Sequence, residues 1–233
     1  MLSFFDTLIF FATPDCGASV IGRFSGLSLF DTLIFFATLY TKLLAEILNI
    51  DSWFFALVSA LWIMLPAYVP NPAAVIFGGG PPIDGGATWR DGRRLFGEGK
   101  TVRGFLLGVL AGVAVGGVEL WVQTLAGRTL SWYFLPVQTL LTVSTFAVGA
   151  LLGDLAKSFV KRRIGKGQGD PWPVADQYDL VAGAFLLTAL VAPGWLLQNI
   201  TLPVLAWILL LTPVLHRITN IAGYHLGVKR VPW

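Results

Sequence analysis

Long apolar segments constrain the fold of this chain more than any other feature of its sequence. Six of them are long enough to cross about 30 Å of hydrocarbon: Leu27–Ile50, Trp53–Val69, Gly104–Ala126, Trp132–Leu152, Leu180–Leu197 and Ile200–Leu215. Asp31, Lys42 and Glu46 interrupt the first segment, so we count it apart from the other five. The sequence therefore predicts an all-α, polytopic transmembrane helix bundle with five core spans and one extra N-terminal helix.

Composition supports the same class. The 233 residues are 55% hydrophobic and 12% charged, whereas about a quarter of the residues of a soluble domain are charged. The single cysteine, Cys16, excludes a disulfide framework. The sequence pI is about 9.2, but the basic residues lie between apolar segments, which argues against a nucleic acid polymer as the partner.

The basic residues also predict the topology. The Pro70–Arg103 loop and the Gly153–Asp179 loop hold five Lys or Arg each, and the tail after His216 holds three more. The opposite ends of the core spans carry Arg128 alone. Because cytoplasmic loops are enriched in cations, we expect a multi-pass protein of the cell membrane whose two polar loops face the cytoplasm.

The N-terminal region contains a local duplication. The segment LSFFDTLIFFAT at positions 2–13 recurs as LSLFDTLIFFAT at positions 27–38. Repeat architectures need about three copies, and no basic n-region precedes the first copy, which argues against a signal peptide. We therefore divide the chain into an accessory apolar extension, residues 1–50, and a membrane domain that carries the chemistry, residues 51–233.

The Gly153–Asp179 loop is the richest in chemistry, because it holds five cations and four aspartates between two apolar segments. Charge at this density must line a wet cavity or leave the bilayer. Asp154, Lys157, Ser158 and Lys161 share one helix face if the preceding span continues, and Asp176 and Asp179 are spaced three apart. Acids at a helix start also serve as caps, but paired carboxylates beside cations indicate a metal–nucleotide site.

The Pro70–Arg103 loop has a second phosphate-binding pattern. Its segment Gly97–Thr101 resembles the end of a P-loop, although the motif requires glycine at position 94, where Arg94 stands. Glycines expose backbone N–H groups, Lys100 adds a charge, and a helix is expected to begin near Thr101–Arg103 with its dipole directed at an anion. We interpret the two loops as one site.

The remaining polar and small residues are interpreted as structural. Gly108, Gly112 and Gly116 repeat every four residues, as Gly149 and Gly153 do, which is typical of helices that pack closely in lipid. His216 and His225 form no Cys/His cluster, so zinc is not expected.

These loops resemble a known family. Ser158, Lys161, Arg162, Lys166 and Asp170, followed by Asp176 and Asp179, are similar to the signature of CTP-dependent phosphatidate cytidylyltransferases. The first loop, from Asp84 to Arg103, and the upstream Leu61-Trp62, Pro66-Ala67-Tyr68 and Asn71 resemble the archaeal, CDP-archaeol synthase branch. The resemblance covers about residues 53–233. Most other members carry His-Gly-Gly before the final aspartates, where this chain reads Pro173-Val174-Ala175.

The resemblance implies five transmembrane helices, cytosolic loops, Mg2+ as cofactor, CTP, and an isoprenoid glycerol phosphate as the lipid substrate. It implies transfer of CMP from CTP to that lipid phosphate, with release of pyrophosphate. We expect branched isoprenoid ethers to be preferred over diacyl chains, because His-Gly-Gly is absent. A homodimer is kept as an expectation.

Roles follow for the individual residues. We assign catalysis to Lys161, Arg162, Asp176 and Asp179, and Mg2+ coordination to Asp176, Asp179 and Asp154. Substrate binding is assigned to Asp84, Asp91, Arg93, Arg94, Lys100, Thr101, Arg103, Ser158 and Lys166. Among these, either Arg93 or Arg94 is expected to hold the lipid phosphate, since arginine matches it bidentately.

Alternatives remain open from the sequence. A general CDP-diacylglycerol synthase would accept diacyl phosphatidate, and a CTP-dependent polyprenol or phytol kinase would transfer the γ-phosphoryl group instead. A membrane transporter should carry its ionisable groups at mid-span, where this chain has Glu119 alone. A non-catalytic membrane scaffold would not need clustered acids.

Overall fold

The structure, a computed structural model, describes residues 36, 38, 40, 41, 50–129 and 135–228. Chain contacts divide the protein into two units, Met1–Phe54 and Phe55–Trp233. Most of the predicted N-terminal helix and the duplicated segments lie outside the described residues. The fold and the site described below belong to the second unit, and the division at residue 50 stays a prediction.

Seven helices lie within residues 50–129 and 135–228. They are α1 (Ile50–Tyr68), α2 (Pro70–Ile76), α3 (Val102–Thr129), α4 (Leu140–Arg163), α5 (Ala175–Val191), α6 (Pro193–Asn199) and α7 (Leu202–His225). Within the described residues the only β-pairing is two isolated bridges in the loop between α2 and α3. The all-α fold class predicted from the sequence is confirmed.

Within the described residues, four segments are long and apolar enough to cross a membrane: Ser52–Ile76, Val102–Gly127, Leu140–Arg163 and Leu202–His225. The sequence predicted a fifth span over Leu180–Leu197, where the structure has α5 and α6 instead. Helix α5 ends at Val191 after 17 residues, because Pro193 begins the next helix. At 1.5 Å per residue α5 is about 25 Å long, which is less than the roughly 30 Å of hydrocarbon. That the protein has five core spans therefore stays a prediction.

The boundaries of α4 differ from the predicted Trp132–Leu152 span. Pro136 stands just before the helix, and Thr139 caps it by accepting a hydrogen bond from the Thr142 N–H. The helix then continues to Arg163, with Lys161, Arg162 and Arg163 in its last turn. Cations at a helix C-terminus complement its dipole. The helical turns beyond Leu152 therefore contain Asp154, Lys157, Ser158 and Lys161, the charged face predicted for the second loop.

Glycine contacts hold the helices close together. A Cβ added at Gly112 would lie 2.6 Å from the Pro66 carbonyl oxygen, and one at Gly116 would lie 2.1 Å from the Val143 side chain. At the α4–α5 interface, a Cβ at Gly153 would lie 2.0 Å from the Asp179 carbonyl oxygen. The close-packing interpretation is confirmed. The α3 glycine face is filled by neighbouring helices.

The apolar core lies between α1, α4, α5 and α7. Ile63, Met64, Phe146 and Ile208 are fully buried, and Phe146 makes edge-on ring contacts with Phe185 and Trp195. Large apolar side chains on the outer faces of the helices are exposed, as expected for surfaces that contact lipid. The core fixes α4 against α5, and thereby fixes the charged faces described next.

Candidate active site

Three aspartates converge on one lysine where α4 meets α5. The Nζ atom of Lys157 lies 3.2 Å from Asp154 Oδ1, 3.3 Å from Asp176 Oδ1 and 2.6 Å from Asp179 Oδ2. Asp154 and Lys157 are three residues apart on α4, while Asp176 and Asp179 are three apart on the first turns of α5. The helical spacing expected from the sequence therefore puts both pairs on facing surfaces.

Two further lysines flank this cluster. Lys100, just before α3, is paired with Asp154, and Lys161, one turn beyond Lys157, is 2.9 Å from Asp176 Oδ1. Lys161 also donates to the Asp170 carbonyl oxygen at 2.7 Å. We call Lys100, Lys157, Lys161, Asp154, Asp176 and Asp179 the charge cluster. Its three cations and three anions compensate each other, which permits their burial.

The aspartates of α5 have different environments. Burial raises the pKa of Asp179 to about 6, although the nearby Lys157 ammonium opposes this rise. Burial also tends to raise the pKa of Asp176, but hydrogen bonds from Lys161 and the Trp172 N–H outweigh it and hold that pKa below its usual range. Asp176 is therefore a firmly ionised carboxylate, and Asp179 is sensitive to the charge beside it.

Asp84 organises the first loop from inside. Its side chain is buried and accepts hydrogen bonds from Arg94 at 2.7 Å and from the Gly86, Phe96 and Gly97 N–H groups at 3.1 Å each. Burial by itself would raise the pKa of Asp84, but hydrogen bonds from these four donors outweigh burial and hold that pKa well below its usual range. These hydrogen bonds to Asp84 fold the loop back on itself. The fold of the loop in turn positions Lys100 and Thr101 at the start of α3.

Arginines fasten the first loop to the C-terminus of α4. Arg93 donates to the Arg162 and Arg163 carbonyl oxygens at 3.1 and 2.9 Å, which satisfies the end of the helix. In return, Arg163 pairs with Asp91 at 2.7 Å, and Arg162 donates to the Phe96 carbonyl oxygen at 3.3 Å. The expectation that the two loops form one unit thus has a structural basis.

A cavity of about 480 Å3 opens beside the charge cluster, within the usual range for small-molecule sites. Of the residues assigned from the sequence, Lys100, Thr101, Asp154, Lys161, Asp176 and Asp179 line it. The structure places the remaining assigned residues, Asp84, Asp91, Arg93, Arg94, Arg103, Ser158, Arg162 and Lys166, outside the lining. Most of these hold the loops: Ser158 donates to the Asp154 carbonyl oxygen, and Lys166 to that of Pro171. Arg103 is exposed at the start of α3.

Sequence reasoning missed several residues of the site. Lys157 was placed on the charged face but given no role, although it is the centre of the charge cluster. Tyr68, Asn71, Thr212, His216 and Asn220 also line the cavity. On α7, Thr212, His216 and Asn220 recur every four residues, and this polar stripe in an apolar span is the signal that would have found them. The Asn220 Nδ2 atom lies 3.3 Å from the His216 Nδ1 atom.

The chemistry of the charge cluster fits a hard divalent cation. Within the described residues no group of three His, Cys, Asp or Glu is already arranged as a metal site, because the Lys157 ammonium lies among the three carboxylates. Asp179 Oδ2 is buried, and the Lys157 ammonium lies 2.6 Å from it. Carboxylate oxygens are the donors that Mg2+ prefers, so Asp154, Asp176 and Asp179 suit it once Lys157 shifts.

A helical membrane bundle with alternating lysines and aspartates around one cavity defines an integral-membrane enzyme that acts on phosphate-bearing substrates. The profile of the CarS-like, CDP-archaeol synthase family matches residues 54–233. The chain belongs to this family, and it is therefore a nucleotidyltransferase of archaeal lipid synthesis. The sequence prediction of this family and enzyme class is confirmed.

Individual relatives agree with the family match. A CDP-archaeol synthase of Methanoculleus marisnigri is 59% identical over 170 residues, covering 73% of this chain and 100% of that protein. A CDP-archaeol synthase of Methanosarcina barkeri is 46% identical over 176 residues, with the same coverage. A solved intramembrane enzyme for archaeal membrane lipid biosynthesis is 36% identical, with a TM-score of 0.57, over 71% of this chain and 94% of that one.

Proposed function

We propose that this cavity is where the chain transfers CMP from CTP to an isoprenoid-ether glycerol phosphate, forming a CDP-activated lipid and pyrophosphate. The observation that carries the assignment is the convergence of Lys100, Lys157 and Lys161 with three aspartates on one cavity inside a membrane bundle. The family supplies the reaction, and the charge cluster supplies a place for a triphosphate and a lipid phosphate.

The reaction needs charge neutralisation more than proton transfer. An oxygen of the lipid phosphate, already anionic, attacks the α-phosphorus of CTP. A new P–O bond forms, the bond from that phosphorus to the bridging oxygen breaks, and pyrophosphate leaves with its electron pair. Catalysis then consists of positioning the two phosphates and stabilising the charge that develops on the leaving group.

Two lysines would stabilise the charge on the nucleotide. Lys100 at the start of α3 and Lys161 on α4 border the cavity from different elements, so they are positioned to hold the triphosphate and the leaving pyrophosphate. Arg162 acts on the same side by holding Phe96 and Lys166 through their carbonyl oxygens, at 3.3 and 2.6 Å. Arg93 and Arg94 keep the first loop closed against α4 and lie outside the cavity, so the charge cluster, rather than either arginine, would receive the lipid phosphate.

Asp154, Asp176 and Asp179 would hold Mg2+, which when bound neutralises phosphate oxygens and polarises the reacting phosphorus. Lys157, in contact with all three, offsets the repulsion between the carboxylates while no metal is bound. If a divalent cation were held by the three carboxylates, the Lys157 ammonium would be available to a nucleotide phosphate.

The rim of the cavity suits lipid chains. Val75 and Ile76 at the end of α2, and Leu226 and Val228 after α7, line the cavity and are exposed by 42–76%. A phosphate at the charge cluster would leave its hydrocarbon chains among these side chains, so the lipid enters from the bilayer. The excess of cations in the two loops supports a cytoplasmic position for this rim. A homodimer is a further proposal that mass measurement in detergent would test.

The decisive assay incubates purified protein with radiolabelled CTP, Mg2+ and a panel of lipid phosphates, and identifies the labelled product. We expect a cytidylated lipid and a higher kcat/KM for isoprenoid-ether glycerol phosphate than for diacyl phosphatidate. CDP together with a phosphorylated lipid would instead identify a kinase. Equal or better use of diacyl phosphatidate would assign a general CDP-diacylglycerol synthase.

A further inference from the structure

The α2 wall of the cavity contains a buried acceptor without a donor. The Oδ1 atom of Asn71 is buried and receives no hydrogen bond from the part of the chain that the structure describes. Asn71 itself lines the cavity. Leaving a buried amide oxygen unpaired is costly, so a group of this kind calls for a partner or a functional role.

The position of Asn71 limits the chemistry of that ligand group. The cations of the cavity belong to the charge cluster, whereas Asn71 lies on α2 near Tyr68, whose hydroxyl is already paired with Thr212 at 2.9 Å. An amide oxygen offers nothing to a phosphate oxygen, because both accept hydrogen bonds. The group that meets Asn71 Oδ1 must therefore carry an N–H or O–H.

Aromatic residues on the same walls favour a planar partner. Tyr68 at the end of α1 and Phe105 in the first turns of α3 both line the cavity. Any of the nucleobases can stack on an aromatic side chain, because each presents a flat π-face. A base held near these rings would bring its hydrogen-bonding edge to Asn71, while its phosphates extend toward the charge cluster.

We propose that Asn71 determines nucleobase specificity by accepting a hydrogen bond from the exocyclic amine of cytosine. Cytosine presents a donor at this position, whereas uracil presents a carbonyl oxygen, which would face Asn71 Oδ1 as a second acceptor. This inference rests on CTP being the substrate under the proposed function, and it adds the residue that distinguishes CTP from UTP.

The test compares nucleotides rather than total activity. The full-length protein in nanodiscs is assayed with one lipid phosphate and CTP, UTP or dCTP, and CTP and UTP binding is measured separately without lipid. We expect Asn71→Ala to lower the CTP/UTP ratio of kcat/KM by about 10-fold or more. Asn199→Ala is the matched control, because Asn199 lies on α6 outside the cavity and donates to the Trp195 carbonyl oxygen. Its ratio should be unchanged.

A second variant covers the case in which Asn71→Ala does not fold. Asn71→Asp keeps the shape and the acceptor oxygens, so it should retain the preference for CTP even if its rates fall. An unchanged CTP/UTP ratio in Asn71→Ala, or a lost preference in Asn71→Asp, would overturn the inference. A change confined to the CTP/dCTP ratio would assign Asn71 to the ribose and also overturn it. Failure of the wild-type protein to use CTP would instead refute the proposed function.

Discussion

Lys157 Nζ on α4 and Asp179 Oδ2 on α5 lie 2.6 Å apart, and both side chains are largely buried. This contact is possible because Gly153 and Gly183 let the two helix backbones approach until an added Cβ would overlap the opposite main chain. The pair therefore joins the packing of the bundle to the chemistry of the site. Changes to either partner should affect both, in distinguishable ways.

The two aspartates of α5 should be essential for turnover. We expect Asp176→Asn and Asp179→Asn each to lower kcat by 100-fold or more while the protein still inserts and folds, since each removes a hard anionic ligand for Mg2+. Activity is measured over a Mg2+ titration. Glu98→Gln is the control, because the Glu98 side chain is 80% exposed and pairs only with Arg94 among the described residues. Near-normal activity of either aspartate variant at saturating Mg2+ would contradict the metal role.

Replacing Lys157 should separate metal binding from catalysis. Lys157→Met leaves three carboxylates without their shared cation, so we expect turnover to fall by at least 10-fold while stabilisation by Mg2+ in a thermal-unfolding assay increases. Lys157→Arg keeps the charge and should retain more of the wild-type stability. If Mg2+ stabilised Lys157→Met less than the wild-type protein, the idea that lysine and metal share these carboxylates would be wrong.

The α4–α5 contact should tolerate no added methyl group. Gly153→Ala places a Cβ 2.0 Å from the Asp179 carbonyl oxygen, so the helices must separate and the charge cluster must widen. Overpacking of this kind costs about 1–3 kcal/mol, and we expect lower thermal stability and little activity. Gly117→Ala on α3 is the matched control, because no atom lies within 4 Å of its added Cβ. Equal stability of the two variants would argue against the close approach.

Topology can be measured directly in cells. In a Cys16→Ser background, a cysteine at Glu98 should be labelled only after permeabilisation, and one at Gly127 should be labelled in intact cells. Both positions are exposed on the protein surface. Labelling of position 98 from outside would overturn the cytoplasmic placement of the active-site loops.

Removal of residues 1–50 should leave the specific activity of the folded protein largely intact. The family profile begins at residue 54, and the curated relatives are matched over their full length by 73% of this chain. The readout is turnover per folded molecule, so that a loss of yield is not mistaken for a loss of chemistry. A collapse of that quantity would show that the extension shapes the site.

The sequence alone determined the class of fold and the identity of the charged residues. Apolar length fixes membrane helices because hydrocarbon cannot satisfy an open backbone, and helical spacing puts Asp154 with Lys157 and Asp176 with Asp179. The sequence also pointed to the family, because its motifs are local. It did not reveal that α5 stops at Val191, since the apolar run continues past Pro193.

Tertiary structure decided which charges face the cavity and which hold the loops. Arg93, Arg94 and Arg162 look as suitable for phosphate as Lys100 in the sequence. In the structure, however, Arg93 and Arg162 bond carbonyl oxygens that are 69 and 66 residues away in the chain, and Arg94 bonds Asp84. Asn71 and His216 become neighbours of the charge cluster only when α2 and α7 pack around α4. Such neighbours depend on the packing of helices that are far apart in the chain, and local spacing carries no information about them.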